Sequence, residues 1–495
     1  MIFFAIALRH LVVRPGRALV LLLGYALGVA VMIVLLSIGD AMLDQSRDAS
    51  LVGGGDLTAL PHGIDVEAMR TGGLAGMFFG IDGARFVTRE LLGGSRHARL
   101  VNAVSPEIAQ KLIEIHSGDT TWSVRAGGRI PSEARSAGTG LRILNGRWAD
   151  DSADRDWIAP TRQALYDEID RFHRPPNTGR DWAEWDYFNV VVSPREWWYV
   201  TLLVGGDQRL TQSGGEVLVT HRLPDGEYQR FRSTVTSGVH FDIARADLTL
   251  GSSSVTQRNG VYDIRGSAGA ATFRFLLVPD AHHYFPPVEL GRDSNASGYA
   301  VAALTGTATG RFCVRTSCRA IRDLPAYHDH NWGRWHGATW EWGSGRGASH
   351  ALLYGGVIIA GRPSAVPFFL LLDDSTGIEQ IYRFSAVTPI GRHPATGMAG
   401  VEAPDSLRII ARRLDDSLQV TIAVDDATAS MSAAAGGDRA FLQLRGKWVA
   451  RGTAVGSAVA DSGSGFFETW VPLPPPRLSR FDSSSHPARI NVRHP

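Results

Sequence analysis

From Ala18 to Ile38 the chain runs through leucine, valine, alanine, glycine and isoleucine without a charge. That is about the length needed to cross a hydrocarbon core of roughly 30 Å, and it predicts one membrane-spanning helix. Arg9, His10, Arg14 and Arg17 precede the run, while Asp40, Asp44 and Asp48 follow it. The charge bias puts the N-terminus in the cytoplasm and the bulk of the chain outside the inner membrane. A cleaved signal peptide is the competing reading. Its apolar region would be about 7–15 residues and end in a small-x-small site; the run here is longer, and Ser37-Ile38-Gly39-Asp40 is a poor cleavage site.

Between about residues 50 and 180 the pattern is mixed. Val104–Ile115 and Thr161–Phe172 carry apolar residues at helical spacing, the first behind Ser105-Pro106. Gly53-Gly54-Gly55, Gly72-Gly73 and Gly138-Thr139-Gly140 read as loops. Phe78–Phe86 is apolar but broken by glycines, as a segment near a membrane surface would be. The expectation is a small α+β spacer or a partial permease-type domain, ending at Arg174-Pro175-Pro176-Asn177-Thr178-Gly179.

Beyond that boundary, short β-type runs recur with turn residues between them. They include Trp197–Val204, Gly215–His221, Ala271–Val278, Tyr299–Val314, Leu352–Ile359, Phe368–Leu372, Leu407–Val424 and Phe441–Ala450. Asp225-Gly226 and Gly205-Gly206 suit hairpins. Ten or so strands without intervening helices predict a mainly β fold of antiparallel barrels or sandwiches. Roughly three hundred residues suffice for two units, and a barrel of about eight strands can hold one small ligand.

Composition adds limits. Fifty basic residues against 49 acidic ones give no electrostatic case for nucleic acid. No G-x-S-x-G elbow, Walker A loop or dinucleotide fingerprint occurs. The two cysteines, Cys313 and Cys318, lack the second pair a zinc site needs. They are either a local disulfide closing a hairpin, if the region is exported, or free thiols.

Two segments carry candidate chemistry. In Ser193-Pro194-Arg195-Glu196-Trp197-Trp198-Tyr199 the adjacent tryptophans must face opposite sides of a strand, one lining a barrel and one sealing it. Glu196 could pair with Arg195 or a buried histidine. The second segment, Tyr327-His328-Asp329-His330-Asn331-Trp332-Gly333, puts Tyr327, Asp329 and Asn331 on one strand face and His328, His330 and Trp332 on the other. Buried among aromatics, Asp329 would have a raised pKa and could serve as a general acid. A polar network plugging one barrel end would need the same residues. His282, His283, His328, His330 and His336 could gather a metal, but no zincin-type spacing occurs and no metal ligands are assigned.

The start, Ala7 to Arg17 followed by the apolar span, resembles MacB/FtsX-type ABC-transporter permeases over about sixty residues. Glu196–Tyr199, then Tyr327-x-Asp329-His330-x-Trp332-Gly333, resembles the carotenoid 1,2-hydratase/AttH family. Gly463-Ser464-Gly465-Phe466-Phe467-Glu468 is similar to that family's closing strand, with Phe466 where tyrosine is usual. His282-His283-Tyr284-Phe285-Pro286 is similar to a further family region, with Phe285 where tryptophan is frequent.

This second resemblance, over about residues 185–475, implies two consecutive lipocalin-like antiparallel β-barrels. The chain then divides into a cytoplasmic turn and anchor (1–45), a spacer (46–180), a first barrel (181–345), a second barrel (346–480) and a tail (481–495). It implies a cofactor-free hydratase acting on an isoprenoid, carotenoid or lipid. Asp329, Tyr327, His330 and His283 would be catalytic; Glu196, Trp197, Trp198, Tyr199, Asn331, Trp332 and Phe285 would hold the ligand. The alternative is a non-catalytic lipid carrier beside ABC-transporter components at the membrane.

Overall fold

The computed structural model describes residues 15–46, 59, 81–138, 150, 152–173, 182–205, 214–290, 297–334, 338–359, 368–431 and 439–473. They belong to two compact units, Met1–Pro160 and Thr161–Pro495. The expected loops at Gly53-Gly54-Gly55, Gly72-Gly73 and Thr139-Gly140, the basic residues before Pro15, Phe78–Gly80, the boundary Arg174–Gly179, Gly206, His336 and the tail 481–495 lie outside the described residues.

In the first unit, α1 (Pro15–Ser46) contains Pro15–Ile38. Among the described residues this is the one helix long and apolar enough to cross a membrane, a property it shares with signal sequences. A small α+β region follows. In it α2 (Ile81–Gly93) meets α4 (Ser152–Ile158) through Arg89 Nε, which donates to the Trp157 carbonyl at 3.3 Å. Between them lie β1 (Glu107–Ser117), β2 (Thr120–Arg129) and the single-turn α3 (Pro131–Ser136). The helix expected over Val104–Ile115 is therefore a strand. Ile113 pairs with Val124 and Ile115 with Trp122 around a turn at Gly118, whose φ of 57° suits glycine. A β-rich partner ten residues on outweighed the helical spacing.

The second unit begins with the other expected helix, α5 (Arg162–Ile169), capped by Thr161 Oγ1 accepting from the Ala164 amide at 3.2 Å. It therefore belongs with the β-structure rather than with the spacer.

The first sheet has twelve strands and is a nearly closed barrel. They are β3 (Trp182–Ser193), β4 (Glu196–Gly205), β5 (Gly214–Arg222), β6 (Tyr228–Val235), β7 (Val239–Phe241), β8 (Leu248–Leu250), β9 (Ser253–Arg258), β10 (Val261–Ala268), β11 (Ala271–Pro279), β12 (Phe285–Leu290), β13 (Ser297–Val314) and β14 (Ser317–Arg334). Its order is β6-β5-β4-β3-β14-β13-β11-β10-β9-β8-β7, with β12 beside β13. Period-2 patterning builds it: along β11, Phe273, Phe275 and Leu277 are buried while Arg274 and Leu276 are exposed. Cys313 and Cys318 form a disulfide across the β13–β14 hairpin.

The second sheet closes into an eight-strand barrel through the β18–β22 pairing. Its strands are β15 (Ala338–Gly347), β16 (Ala351–Ile359), β17 (Phe368–Asp374), β18 (Gly377–Phe384), β22 (Ser406–Arg413), β23 (Asp416–Met431), β24 (Arg439–Ala454) and β25 (Ser457–Pro472), with the short β19 (Thr388–Ile390) at its edge. Two-residue strands β20 (His393–Pro394) and β21 (Glu402–Ala403) pair separately. Because β15 starts at Ala338, Trp340 and Trp342, expected in the first barrel, stand on the second. The single strand expected over Leu407–Val424 is two, turning at Leu414, which takes a φ of 50°. Trp448, Tyr382, Tyr354 and Phe467 fill this barrel, and at about 1.5–3 kcal/mol for a large buried side chain they are a main source of its stability.

Candidate functional site

Strand β14 sorts its side chains between two environments. His328 and His330 point into the first barrel; Tyr327, Asp329 and Asn331 point out of it, toward the outer face of the second. Both outer faces are aromatic. Tyr187, Trp197, Tyr199, Tyr299 and Tyr327 from the first barrel pack in one cluster with Trp342, Phe369 and Phe466 from the second. Phe285 stacks on Phe369 with ring centres 5.0 Å apart. A cavity of about 180 Å³ opens here, lined in part by Asn189, Trp197, Leu304, Tyr327, Ser344 and Phe466. It is smaller than the roughly 300–1,000 Å³ of pockets that enclose drug-sized ligands. One end of an apolar chain would fill it.

Tyr327 forms the polar wall. Its hydroxyl donates to Asp329 Oδ2 at 2.7 Å and accepts from Trp342 Nε1 at 3.1 Å, so one phenol joins the two barrels. Asn331 Nδ2 donates to Asp329 Oδ1 at 2.8 Å. Burial pushes the Asp329 pKa up to about 6, against hydrogen bonds from Tyr327 and Asn331 and the pull of His328 and His330. A second acid stands on the facing barrel. Glu468 pairs with Trp342 across β25–β15 and accepts from Trp340 Nε1 at 2.8 Å. Burial raises its pKa to about 7. Near pH 6 both acids can hold a proton close to this cavity, whose lining also includes Thr305, Arg346 and Ser464.

The structure separates the other sequence-predicted residues. Trp197 and Tyr199 face the cleft, whereas Trp198 faces the barrel interior and stacks on His221 and Phe312. Glu196, 4 % exposed, lies 3.2 Å from His221 Nε2 and 2.9 Å from Arg319 Nη1, so its partner is the buried histidine rather than Arg195. His283 Nδ1 bonds Asp373 of β17, and that carboxylate outweighs the lowering effect of burial to raise the histidine's pKa. His330, expected to be catalytic, and Trp332, expected to hold the ligand, lie on the strand face opposite Asp329. The alternation of a regular strand forces this.

Inside the first barrel the sequence hid a polar cluster. His330 Nδ1 lies 3.0 Å from Asp170 Oδ1 and its Nε2 2.9 Å from Glu184 Oε1. His328 Nε2 lies 2.9 Å from Asp170 Oδ2, and half-buried His173 bonds Glu184 through Nδ1 at 2.9 Å. Burial lowers the pKa of both His328 and His330, but the carboxylates outweigh it and raise them, His330 furthest. Asp186, also buried, is pushed up to about 7. Two triads, His173–Glu184–His330 and Asp170–Asp186–His330, offer metal-donor atoms within 4.8 Å of one another. A metal on either would have to displace a proton that His330 already shares with a carboxylate. As arranged, the group is an ion-paired plug. Its one sequence signal is a repeated Glu-Trp-x-Tyr: Glu184-Trp185-Asp186-Tyr187 precedes Glu196-Trp197-Trp198-Tyr199 by twelve positions.

The fold and site define a protein of two consecutive antiparallel barrels with an acid-bearing aromatic cleft between them. No family model and no curated protein matches the chain. Among solved structures it is similar to an AttH protein from Nitrosomonas europaea (17 % identity, 58 % of this chain and 92 % of that one, TM-score 0.41). It is also similar to CghA bound to Sch210972 (12 %, 63 % and 97 %, 0.44) and to kievitone hydratase from Nectria haematococca (12 %, 58 % and 88 %, 0.42). At such scores these likenesses carry no functional argument.

Proposed function

We propose that this chain is a cofactor-free hydratase of the carotenoid 1,2-hydratase/AttH type, acting on a terminal double bond of an isoprenoid or other lipid held between the barrels. The observation that carries this reading is the Tyr327–Asp329 pair: a buried carboxyl with a pKa near 6, hydrogen-bonded to a phenol that lines a cavity together with Trp197, Leu304 and Phe466.

Tyr327 is the member of the pair that meets the cavity, so the proton passes through it. With Asp329 protonated, its carboxyl donates to the Tyr327 oxygen and turns the phenol O–H to the cavity. A C–H bond then forms at the less substituted alkene carbon as the Tyr327 O–H breaks, and Tyr327 takes the Asp329 proton in the same step. The transfers are coupled because burial and the Asp329 charge push the Tyr327 pKa well above 10, which forbids a resting phenolate. The tertiary carbocation left behind faces the rings of Trp197 and Phe466, whose π-faces stabilise positive charge. Water then adds, a C–O bond forms, and the proton lost from that water returns to the Asp329 carboxylate. Glu468 is the second acid able to take it.

The disulfide suits an oxidising compartment, and Pro15–Ile38 suits an anchor that holds the barrels outside the inner membrane. The test is incubation of detergent-solubilised protein with lycopene, an acyclic polyene, followed by mass spectrometry. A product heavier by one water from the wild type but not from Asp329→Asn, with polyene binding kept, supports the reading. Polyene bound and recovered unchanged from the wild type favours the carrier alternative.

A further inference from the structure

Two arginines meet at the cleft with one carboxylate between them. Arg222 of β5 and Arg445 of β24 both pair with Asp426 of β23, Arg445 at 2.7 Å, and Arg222 Nη1 also donates to Thr428 Oγ1 at 2.7 Å. The two arginine side chains are only 5 % and 7 % exposed. Their charges sum with that of Asp426 to a surplus of one positive while Glu468, the other carboxyl acting on the same Tyr199, holds its proton. Buried charge is rarely left unpaired, because desolvating it costs several kcal/mol. Yet Arg445 Nε and Nη1 and Arg222 Nε are buried and find no hydrogen-bond partner among the described residues.

The register ties both arginines to the cavity. Arg222 is the direct cross-strand neighbour of Trp197, and Arg445 that of Phe466. Those two aromatics line the cavity from opposite barrels. Each guanidinium thus stands one strand behind the cavity wall. The Tyr199 ring, a member of the same aromatic cluster, lies within electrostatic reach of Arg222, Arg445, Asp426 and Glu468.

We propose that Arg222 and Arg445 form an anion seat for the head group of the ligand. The ligand is then an amphipathic molecule, with a carboxylate or phosphate at one end and an apolar chain that runs past Trp197 and Phe466 to Tyr327. The planar fork of each guanidinium matches two oxygens of either head group, and a single anion satisfies the free N–H groups and the surplus charge together. This inference rests on the cleft being the ligand site, as proposed above, and adds the class of ligand.

The experiment follows tryptophan-fluorescence quenching of the detergent-solubilised full chain by three probes of matched chain: retinol, retinoic acid and retinyl phosphate. The expected result is that at least one anion binds on the order of ten-fold or more tighter than retinol, the yield of charge-assisted hydrogen bonds. The tighter of the two anions identifies the head group. Arg445→Gln should bring the anion-to-alcohol ratio close to one and leave retinol binding unchanged; Asp426 keeps Arg222 as partner, so the fold has reason to persist. If Arg445→Gln does not fold, Arg222→Gln and the wild-type comparison decide instead. Retinol binding as tightly as both anions, or a preference that survives in both variants, overturns the seat and leaves the cleft reading standing. Failure of all three probes to bind overturns the cleft reading and the seat together.

Discussion

Asp329 and His330 are neighbours in the chain and lie on opposite faces of one strand. Asp329 bonds Tyr327 and Asn331 in the cleft; His330, fully buried, sits between Asp170 and Glu184 inside the first barrel. Substituting them should therefore fail in different ways. Asp329→Asn keeps the shape and one of the two accepted hydrogen bonds and should lower turnover about 10²–10⁴-fold, with a smaller loss of melting temperature than His330→Gln. His330→Gln strands buried carboxylates and should cost about 3–5 kcal/mol in denaturant unfolding. Equal loss of stability in both variants would place Asp329 in the architecture rather than the chemistry.

Proton donation sets a pH limit. With a pKa of about 6, Asp329 is increasingly ionised above that value. Turnover should fall about ten-fold per pH unit above about 6, and Tyr327→Phe should abolish it at every pH. A rate that stays level to pH 8 in initial-rate measurements would rule out Asp329 as the donor.

Stability should also favour acid. Asp329 near 6, Glu468 and Asp186 near 7, and Glu341 near 8 stand above their ordinary 3.8 to 4.5, all through burial. Each loses its proton at lower pH in the unfolded chain than in the folded protein, so folding weakens as pH rises from about 4 to about 8. The raised His283, His328 and His330 act in the same sense. Their contribution is full below their ordinary 6.5 and is lost as pH climbs through their folded values. Asp170, held low by His328 and His330 despite its burial, opposes the trend only in strong acid. Calorimetry should give a higher melting temperature near pH 5.5 than near pH 8.5.

Gly355→Ala tests the bridge between the barrels. A Cβ there would come within 2.5 Å of the Trp342 ring, which must then shift. Trp342 donates to the Tyr327 hydroxyl, so turnover should drop by more than the roughly 1–3 kcal/mol of overpacking would suggest for stability. Gly356→Ala instead drives a Cβ into Phe368, inside the second barrel, and should destabilise without that selective loss.

Much of this architecture was legible in the chain. The β-runs from Trp197 to Ala450 and the Asp225-Gly226 turn follow from local propensity, and the two faces of Tyr327–Trp332 follow from the pleat. Errors came where local signals were ambiguous. Val104–Ile115 carries isoleucines at spacings that fit a helix or a strand, and only its pairing decides. Leu414 makes a turn without glycine, so two strands read as one. Glu184 and Asp186 carry no local signal, because a charge on a strand normally marks the solvent side, and Asp170 sits at the end of α5, where a charge is ordinary. Their partners, His328 and His330, lie about 150 positions away.

The cleft is assembled from the outward sides of two barrels, each of which packs its own interior. Side chains that would choose a ligand, such as Trp197 and Phe466, are thus not the ones that hold either barrel shut, such as Phe275 or Trp448. A lineage built on this plan can remodel the cleft by substitutions on the outward faces alone, while both barrel interiors pass unchanged to its descendants.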